Sequence, residues 1–224
     1  MYEQLKTTQL FDLSQTIASS LLERCEYPWE ALAQIGDTIV EIGKTLSPAD
    51  YISPSPMVWI HKTAHVMPSA FIGERVIIGP EAEIRHCAFI RGNAIIGGGS
   101  VVGNSTELKN VILFNRVQVP HYNYVGDSVL GYRSHMGAGS ITSNVKSDKT
   151  PVTVNVAGDK VATGLKKFGA ILGDFVEVGC GSVLNPGTVI GRGSQIYPLS
   201  PVRGFVPAEH IFKNQDSVVA KRKG

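Results

Sequence analysis

The sequence predicts an all-β solenoid, a parallel β-helix of hexapeptide repeats preceded by a short helical cap. Three observations predict it. Aliphatic residues recur every six positions through two long stretches. A small or branched residue stands four positions after most of them. Glycines number 24 while aromatic residues make up only 8%, a balance that suits a core of small side chains and many tight turns.

The first stretch runs Ile60, Val66, Ile72, Ile78, Ile84, Ile90, Ile96, Val102 and Leu108; the second runs Leu172, Val178, Leu184, Ile190, Ile196 and Val202. The companions of the first are Ala64, Ala70, Val76, Ala82, Ala88, Ala94, Ser100 and Thr106. A period of six fits neither a 3.6-residue helix nor a plain alternating strand. It fits a short strand and a turn, repeated, with three units closing a triangular coil of 18 residues. Each coil then lies on the one below as parallel strands, rising ~4.8 Å per coil.

The other elements follow in order. Residues 1–56 are expected to form the helical cap and a linker. Leu10, Phe11, Leu13, Ile17, Leu21 and Leu22 mark one apolar side of a first helix. Pro28 suits the first turn of a second, running to about Ile42. Together they are expected to pack against the first coil and close its open end. The β-helix is assigned to residues 57–206. Within it, "SDKTPVTVNVAGDKVATGLKK" (147–167) alternates at Val152, Val154 and Val156 and reads as a β-hairpin thrown out of the coils, turning at Gly158–Asp159. Residues 207–224 are expected as a C-terminal tail ending in the basic run Lys221, Arg222, Lys223.

Charge and cysteines narrow the function classes. Net charge is +2 with both signs interspersed, which points to no nucleic-acid or membrane surface. Cys25, Cys87 and Cys180 are widely spaced and odd in number, so neither a zinc motif nor a disulfide framework is indicated. The six histidines lack a close ligating pair, and no metal is expected. "MYEQLKTTQLFDLSQ" is not a signal peptide, and no apolar run approaches the ~20 residues of a membrane span. The expectation is a soluble, cytoplasmic protein.

Two features point to chemistry. Arg91 and Lys109 are 18 residues apart and each follows an inward aliphatic residue, so they are expected to point outward and stack on adjacent coils. Like charges stacked in this way repel, and an anion such as phosphate between them would relieve the repulsion. The second feature is "VPHYNYVGDS" (119–128), where the repeat breaks. Leu130 and Met136 resume it out of phase with Leu108, so the grid does not locate His121.

The stretch "PHYNYVGDSVLGYRSHMGAGSITSN" resembles the left-handed β-helix hexapeptide acyltransferases. It is most similar to the acetyltransferase domain of the bifunctional enzymes that make UDP-N-acetylglucosamine and to the β-helix domains of sugar-phosphate nucleotidylyltransferases. The resemblance covers about residues 60–200. It implies a left-handed coil, a homotrimer with sites between neighbouring prisms, and acetyl transfer from acetyl-CoA to the amine of a hexosamine 1-phosphate. His121 would be the general base; an unperturbed imidazole titrates near ~6.5, which suits that role. Arg91, Lys109 and Tyr124 would hold the phosphorylated sugar, with Asn144 orienting sugar or thioester. Ala138 and Cys180 would line the acetyl-CoA site, and Lys167 would reach the sugar phosphate, from a neighbouring subunit.

This sequence departs from the family pattern at the 147–167 hairpin, which replaces a shorter loop, and at three single residues. Pro120 stands where a glycine usually precedes the histidine, His135 replaces a sugar-contacting asparagine, and Val145 replaces a tyrosine near the cofactor. About 56 residues precede the repeats, with no G-x-G-x-x-G or P-loop, so pyrophosphorylase activity is not expected. Two other readings stay open at this stage. One is a non-catalytic module binding a sugar nucleotide or a partner; the other is a three-histidine zinc hydratase, which the spacing disfavours.

Overall fold

The computed structural model describes residues 2–222, so Lys223 of the basic run lies outside the described residues. The chain forms a parallel β-solenoid. Long strands such as Phe71–Ile78 and Phe89–Ile96 turn a corner, so two faces share one twelve-stranded sheet, while the third face is a nine-stranded sheet. Inward residues stack coil on coil: Ile60 on Ile78, Ile78 on Ile96, Ile96 on Leu113, Leu113 on Leu130, Leu130 on Leu172, and Leu172 on Ile190.

The coils are not all of one length. The step is 18 residues from Ile78 to Ile96 but 17 from Ile96 to Leu113 and from Leu113 to Leu130. The change occurs at Arg91. Ile90 pairs with Leu108 but Gly92 pairs with Lys109, leaving Arg91 as an extra residue in its strand. Such a bulge breaks the ladder locally and re-aims the side chain.

One face carries an outward apolar row: Trp59, Ile77, Ile95, Ile112, Val129, Ile171, Val189 and Phe205 are successive partners. Ile77 and Ile95 stand one position before an inward residue and still are at most 1% exposed. The N-terminal segment covers them. It was expected to close the open end of the first coil; instead it runs along this flank, with Ile35–Thr45 against strands of three successive coils. Phe11 meets Phe114 at 4.8 Å and Trp29 meets Phe168 at 5.8 Å between ring centroids. The carbonyls of Leu10 and Gln15 accept hydrogen bonds from the backbones of Asp174 and Asn115, at 3.0 and 2.9 Å. The physical reason is area: a long flank of aliphatic side chains offers more surface to bury than one end of a prism. The end of the first coil receives the strand Tyr51–Ile52, paired antiparallel with Val58–His61.

The first expected helix is also broken into short turns, Thr7–Leu10, Leu13–Gln15 and Ser19–Leu22. The side chain of Asp12 accepts from the backbone of Ser14 and that of Thr16 from Ala18, and such local bonds compete with helix. Ile17 consequently points out, 40% exposed.

Residues 147–167 contain the hairpin Thr153–Val156 and Asp159–Ala162, turning at Ala157–Gly158 rather than Gly158–Asp159. Both turn residues have positive φ, 50° and 91°, as a two-residue primed turn requires. The hairpin is not thrown clear of the coils. Val152, Val154 and Val156 are buried against the end of the same flank, at Thr188–Ile190 and Phe205–Val206. The Tyr2 hydroxyl donates to Asp159 at 2.9 Å, joining the two covers. Of residues 207–224, expected as a tail, 207–222 are described, and part of them extends the coils instead. His210–Asn214 lies parallel to Gln195–Ile196, and Ser217–Ala220 folds back antiparallel on it.

Trp29 is 2% exposed in this cover. Trp29→Ala is expected to cost about 3–5 kcal/mol, read from the urea midpoint, while Ile17→Ala in the same segment should cost less than about 1 kcal/mol. Equal effects would mean that the segment does not fold as one unit with the solenoid.

Candidate functional site

The site grows out of the shortened coils. Val119 lies on Val102, and His121 falls opposite Asn104 at the end of the strand Gln118–His121. Tyr122 then turns the corner with φ of 51°. Buried Asn123 locks that corner. Its amide donates to the carbonyls of Gly137 at 2.9 Å and Ser140 at 3.1 Å, and its Oδ1 accepts from the His121 backbone at 3.1 Å. The His121 carbonyl accepts from Gly139 at 3.0 Å. The backbone of His121 is thus held on both sides, while its exposed ring has no hydrogen-bond partner among the described residues.

Pro120 is accommodated by the coil next to it. A Cβ at Gly103 would lie 1.6 Å from the Pro120 carbonyl oxygen, so the backbones approach as only glycine permits. The His121 cavity, ≈ 390 Å³, is also lined by Arg85, Gln118, His135, Ala138 and Cys180. His135 reaches the acid on the next coil, with Nδ1 2.9 Å from Oε2 of Glu177.

Arg91 and Lys109 do not stack as the spacing predicts. The bulge puts Gly92, not Arg91, across from Lys109. Each cation has its own carboxylate: Arg91 donates to Glu107 at 2.9 Å, and Lys109 to both oxygens of Asp127 at 2.8 and 3.0 Å. The two nevertheless line one depression of ≈ 310 Å³ with Glu74, Arg75 and Asn93. Arg75 and Asn93 escaped the sequence reading because nothing in the repeat marks them. The N-terminal helix comes close behind them, since a Cβ on Gly36 would lie 2.8 Å from Asn93 Oδ1 and 3.0 Å from an Arg75 nitrogen.

Asp127 is the hub of this half. It is 4% exposed and receives Lys109, Asn110 and Asn144. Asn110 also donates to the carbonyl of Leu32 at 3.0 Å, tying the hub to the N-terminal cover. The Asn144 amide lies 3.3 Å from the Tyr124 hydroxyl. Burial first, and then the charge of Asp127, pushes the Tyr124 hydroxyl above its ordinary pKa, so it stays a neutral donor at neutral pH. The Gly-Asp pair of the quoted stretch was the available signal for Asp127.

The structure therefore gathers His121, His135, Ala138 and Cys180 in one cavity. It places Arg91 and Lys109 in a second, joined through Asp127 to Tyr124 and Asn144. Lys167 is exposed and lines neither; the next residue, Phe168, is buried and donates its N–H to the Asn144 carbonyl at 3.0 Å. Among the described residues no group of three or more His, Cys, Asp or Glu side chains is placed to hold a metal ion. No helix among them is long and apolar enough to cross a membrane.

Comparison with known proteins gives the following. No protein-family model matches the chain. It is 36% identical over 120 residues to the bifunctional protein GlmU of Methanococcus vannielii, covering 54% of this chain and 29% of that protein. It is 36% identical over 109 residues to the bifunctional sugar-1-phosphate nucleotidylyltransferase/acetyltransferase of Sulfurisphaera tokodaii, covering 49% and 27%. It is 33% identical over 178 residues to GlmU of a Nostoc species, covering 73% and 37%. The chain thus spans about a third of the length of these relatives. Among solved structures, the acetyltransferase domain of PglB from Neisseria gonorrhoeae in complex with acetyl coenzyme A overlays at a TM-score of 0.36 and 16% identity, covering 83% of this chain and 67% of that one.

Because Asp127 is buried and satisfies three donors, Asp127→Ala is expected to lower stability by about 2 kcal/mol or more. Chemical denaturation checks this, and an unchanged midpoint would remove Asp127 as the hub.

Proposed function

We propose that the chain is an acetyl-CoA-dependent N-acetyltransferase acting on the amine of a hexosamine 1-phosphate. One observation carries the reading: the unpartnered ring of His121 opens into the same cavity as Ala138 and Cys180. Sequence similarity to proteins named for sugar-1-phosphate nucleotidyl transfer and acetyl transfer supports it. In this reading acetyl-CoA lies along Ala138 and Cys180 with its thioester at His121. The sugar amine attacks the thioester carbon, a ring nitrogen of His121 takes the amine proton, the C–S bond breaks, and the thiolate leaves and is reprotonated. Arg91 and Lys109 receive the phosphate, helped by Arg75 on the same depression. Tyr124 and Asn144 position the sugar ring, and His135 contacts it. Nucleotidyl transfer belongs to the relatives' names and forms no part of this proposal.

The site is proposed to be completed in a homotrimer. Within one chain the His121 cavity and the Arg91–Lys109 depression share no lining residue. Between them the outward row of the uncovered face runs through Phe71, Phe89, Glu107, Tyr124, Ile141, Val183 and Pro201. Phe71 and Phe89 are 57% and 42% exposed, and Leu199 beside the row is 81% exposed. Apolar groups in that number suit a second prism. Lys167 of such a neighbour would then reach the phosphate.

His121→Ala is expected to lower kcat with glucosamine 1-phosphate and acetyl-CoA by ~10²-fold or more. The acidic limb of the pH–rate profile should vanish with it, while acetyl-CoA affinity and Tm stay close to wild type. Full activity in that variant rejects His121 as the base. A wild-type protein that binds acetyl-CoA and acetylates no amino sugar phosphate is a binding module instead. Light scattering at micromolar concentration is expected to give three times the chain mass, and a monomer would sink the shared site.

A further inference from the structure

A cavity of ≈ 650 Å³ lies at another corner and shares only Gln118 and His135 with the His121 cavity. We propose that Arg116, Arg133 and Phe175 form a nucleotide site there, holding the phosphates and the planar base of a ligand whose far end lies at His121. The proposal rests on the reading of His121 as the reacting end.

Arg116 and Arg133 meet the stacking condition that Arg91 and Lys109 miss. Arg116 and Arg133 occupy the same corner of adjacent coils: Gln118 pairs with His135, and the backbone of Arg133 donates to Asn115 at 3.2 Å. Both have positive φ, 60° and 55°, and both are exposed. Coil stacking puts such residues ~4.8 Å apart. Arg85, Arg91 and Arg192 each meet a carboxylate, whereas Arg116 and Arg133 meet none within 4 Å among the described residues. The acid in the cavity, Glu177, is engaged by His135 at 2.9 Å. The Arg133 guanidinium lies over the Tyr132 ring at 5.4 Å; two cations at stacked corner positions without an internal acid are relieved by an anion from outside, and guanidinium geometry suits phosphate oxygens.

The third component is aromatic. Phe175 follows at the same corner one coil on, where its N–H donates to the Tyr132 carbonyl at 2.8 Å. It is 45% exposed and lies edge-on to Tyr132 at 5.4 Å. An exposed ring next to two cations offers a stacking surface for a base beside its phosphates.

The cavity is also continuous with the proposed reaction site. Gln118 and His135 line both this cavity and the one that holds His121. Arg116, at the turn before the strand Gln118–His121, and His121, at its end, are five residues apart, a span of at most ~16 Å. A ligand that reacts at His121 and carries phosphates within that distance fits both ends. Two ligands have that chemistry, coenzyme A and a nucleoside diphosphate such as that of a sugar nucleotide.

Calorimetry of the intact wild-type chain and the Arg116→Ala/Arg133→Ala double variant, titrated with coenzyme A, with UDP and with pantetheine, tests the proposal. The double variant is expected to bind one of the two nucleotides at least ~10-fold more weakly, with Tm and pantetheine binding unchanged. Loss for coenzyme A alone assigns the site to the acetyl donor; loss for UDP alone assigns it to a sugar nucleotide. Phe175→Ala should weaken the same ligand, and Arg116→Lys/Arg133→Lys should restore part of the affinity. If wild type binds neither nucleotide, or both bind the double variant as well as wild type, the site does not exist. Acetyl transfer measured alongside separates the two readings. Arginine-dependent nucleotide binding without transfer keeps this site and rejects the enzyme, and transfer without such binding does the reverse.

Discussion

Parallel stacking sets the terms for everything else in this molecule. Each strand hydrogen-bonds to the strands one coil above and below, so an inward residue must lie on an inward residue along the whole prism. A slip of one residue would turn the aliphatic set outward. Between Ile78 and Leu130 the coil length changes once, within a strand, at the bulge at Arg91. Every later coil up to the hairpin insertion inherits that shift. His121 reaches its corner because of it, opposite Asn104 rather than one position away.

The same regularity creates a demand that the solenoid cannot meet alone. On one flank the outward positions are aliphatic as well, from Ile77 to Val189. Such a row would leave a long apolar strip in water. The N-terminal segment and the 153–162 hairpin cover it from opposite ends and meet at Tyr2 and Asp159. Asp174 fastens the cover from inside. It is fully buried, accepts from the backbones of Asp12 and Tyr132 at 2.7 and 2.8 Å, and meets Arg192 at 3.1 Å. Burial is the first cause that raises its pKa, and these partners oppose the shift without cancelling it. With that flank closed, ligands and partners are left two faces and their corners.

Polar chemistry concentrates at those corners because the coil interior has no room for it. Asn123 and Asp127, both nearly buried, hold the backbone and side chains that frame the two halves of the proposed site. One buried polar residue stands behind each half: Asn123 fixes the chain beside the ring of His121, and Asp127 fixes Lys109 and Asn144. Sites supported in this way keep their geometry without ligand.

By itself the sequence determined the repeat, the inward residues, the existence of the hairpin and the stretch that carries His121. These rest on local periodicity and on inward positions, where steric fit leaves few choices of side chain. The fates of the outward side chains were decided only in three dimensions. Arg91 and Lys109 look like a stacked pair at 18-residue spacing, yet the bulge separates their registers and Glu107 and Asp127 take up their charges. Arg116 and Arg133 drew no notice at 17-residue spacing, yet they are the stacked pair without an internal acid. The helical cap likewise went to a flank whose apolar row is invisible until coils are stacked. An outward side chain takes its partner from a neighbouring coil or from a segment far along the chain, and that pairing depends on register, which a single bulged residue resets.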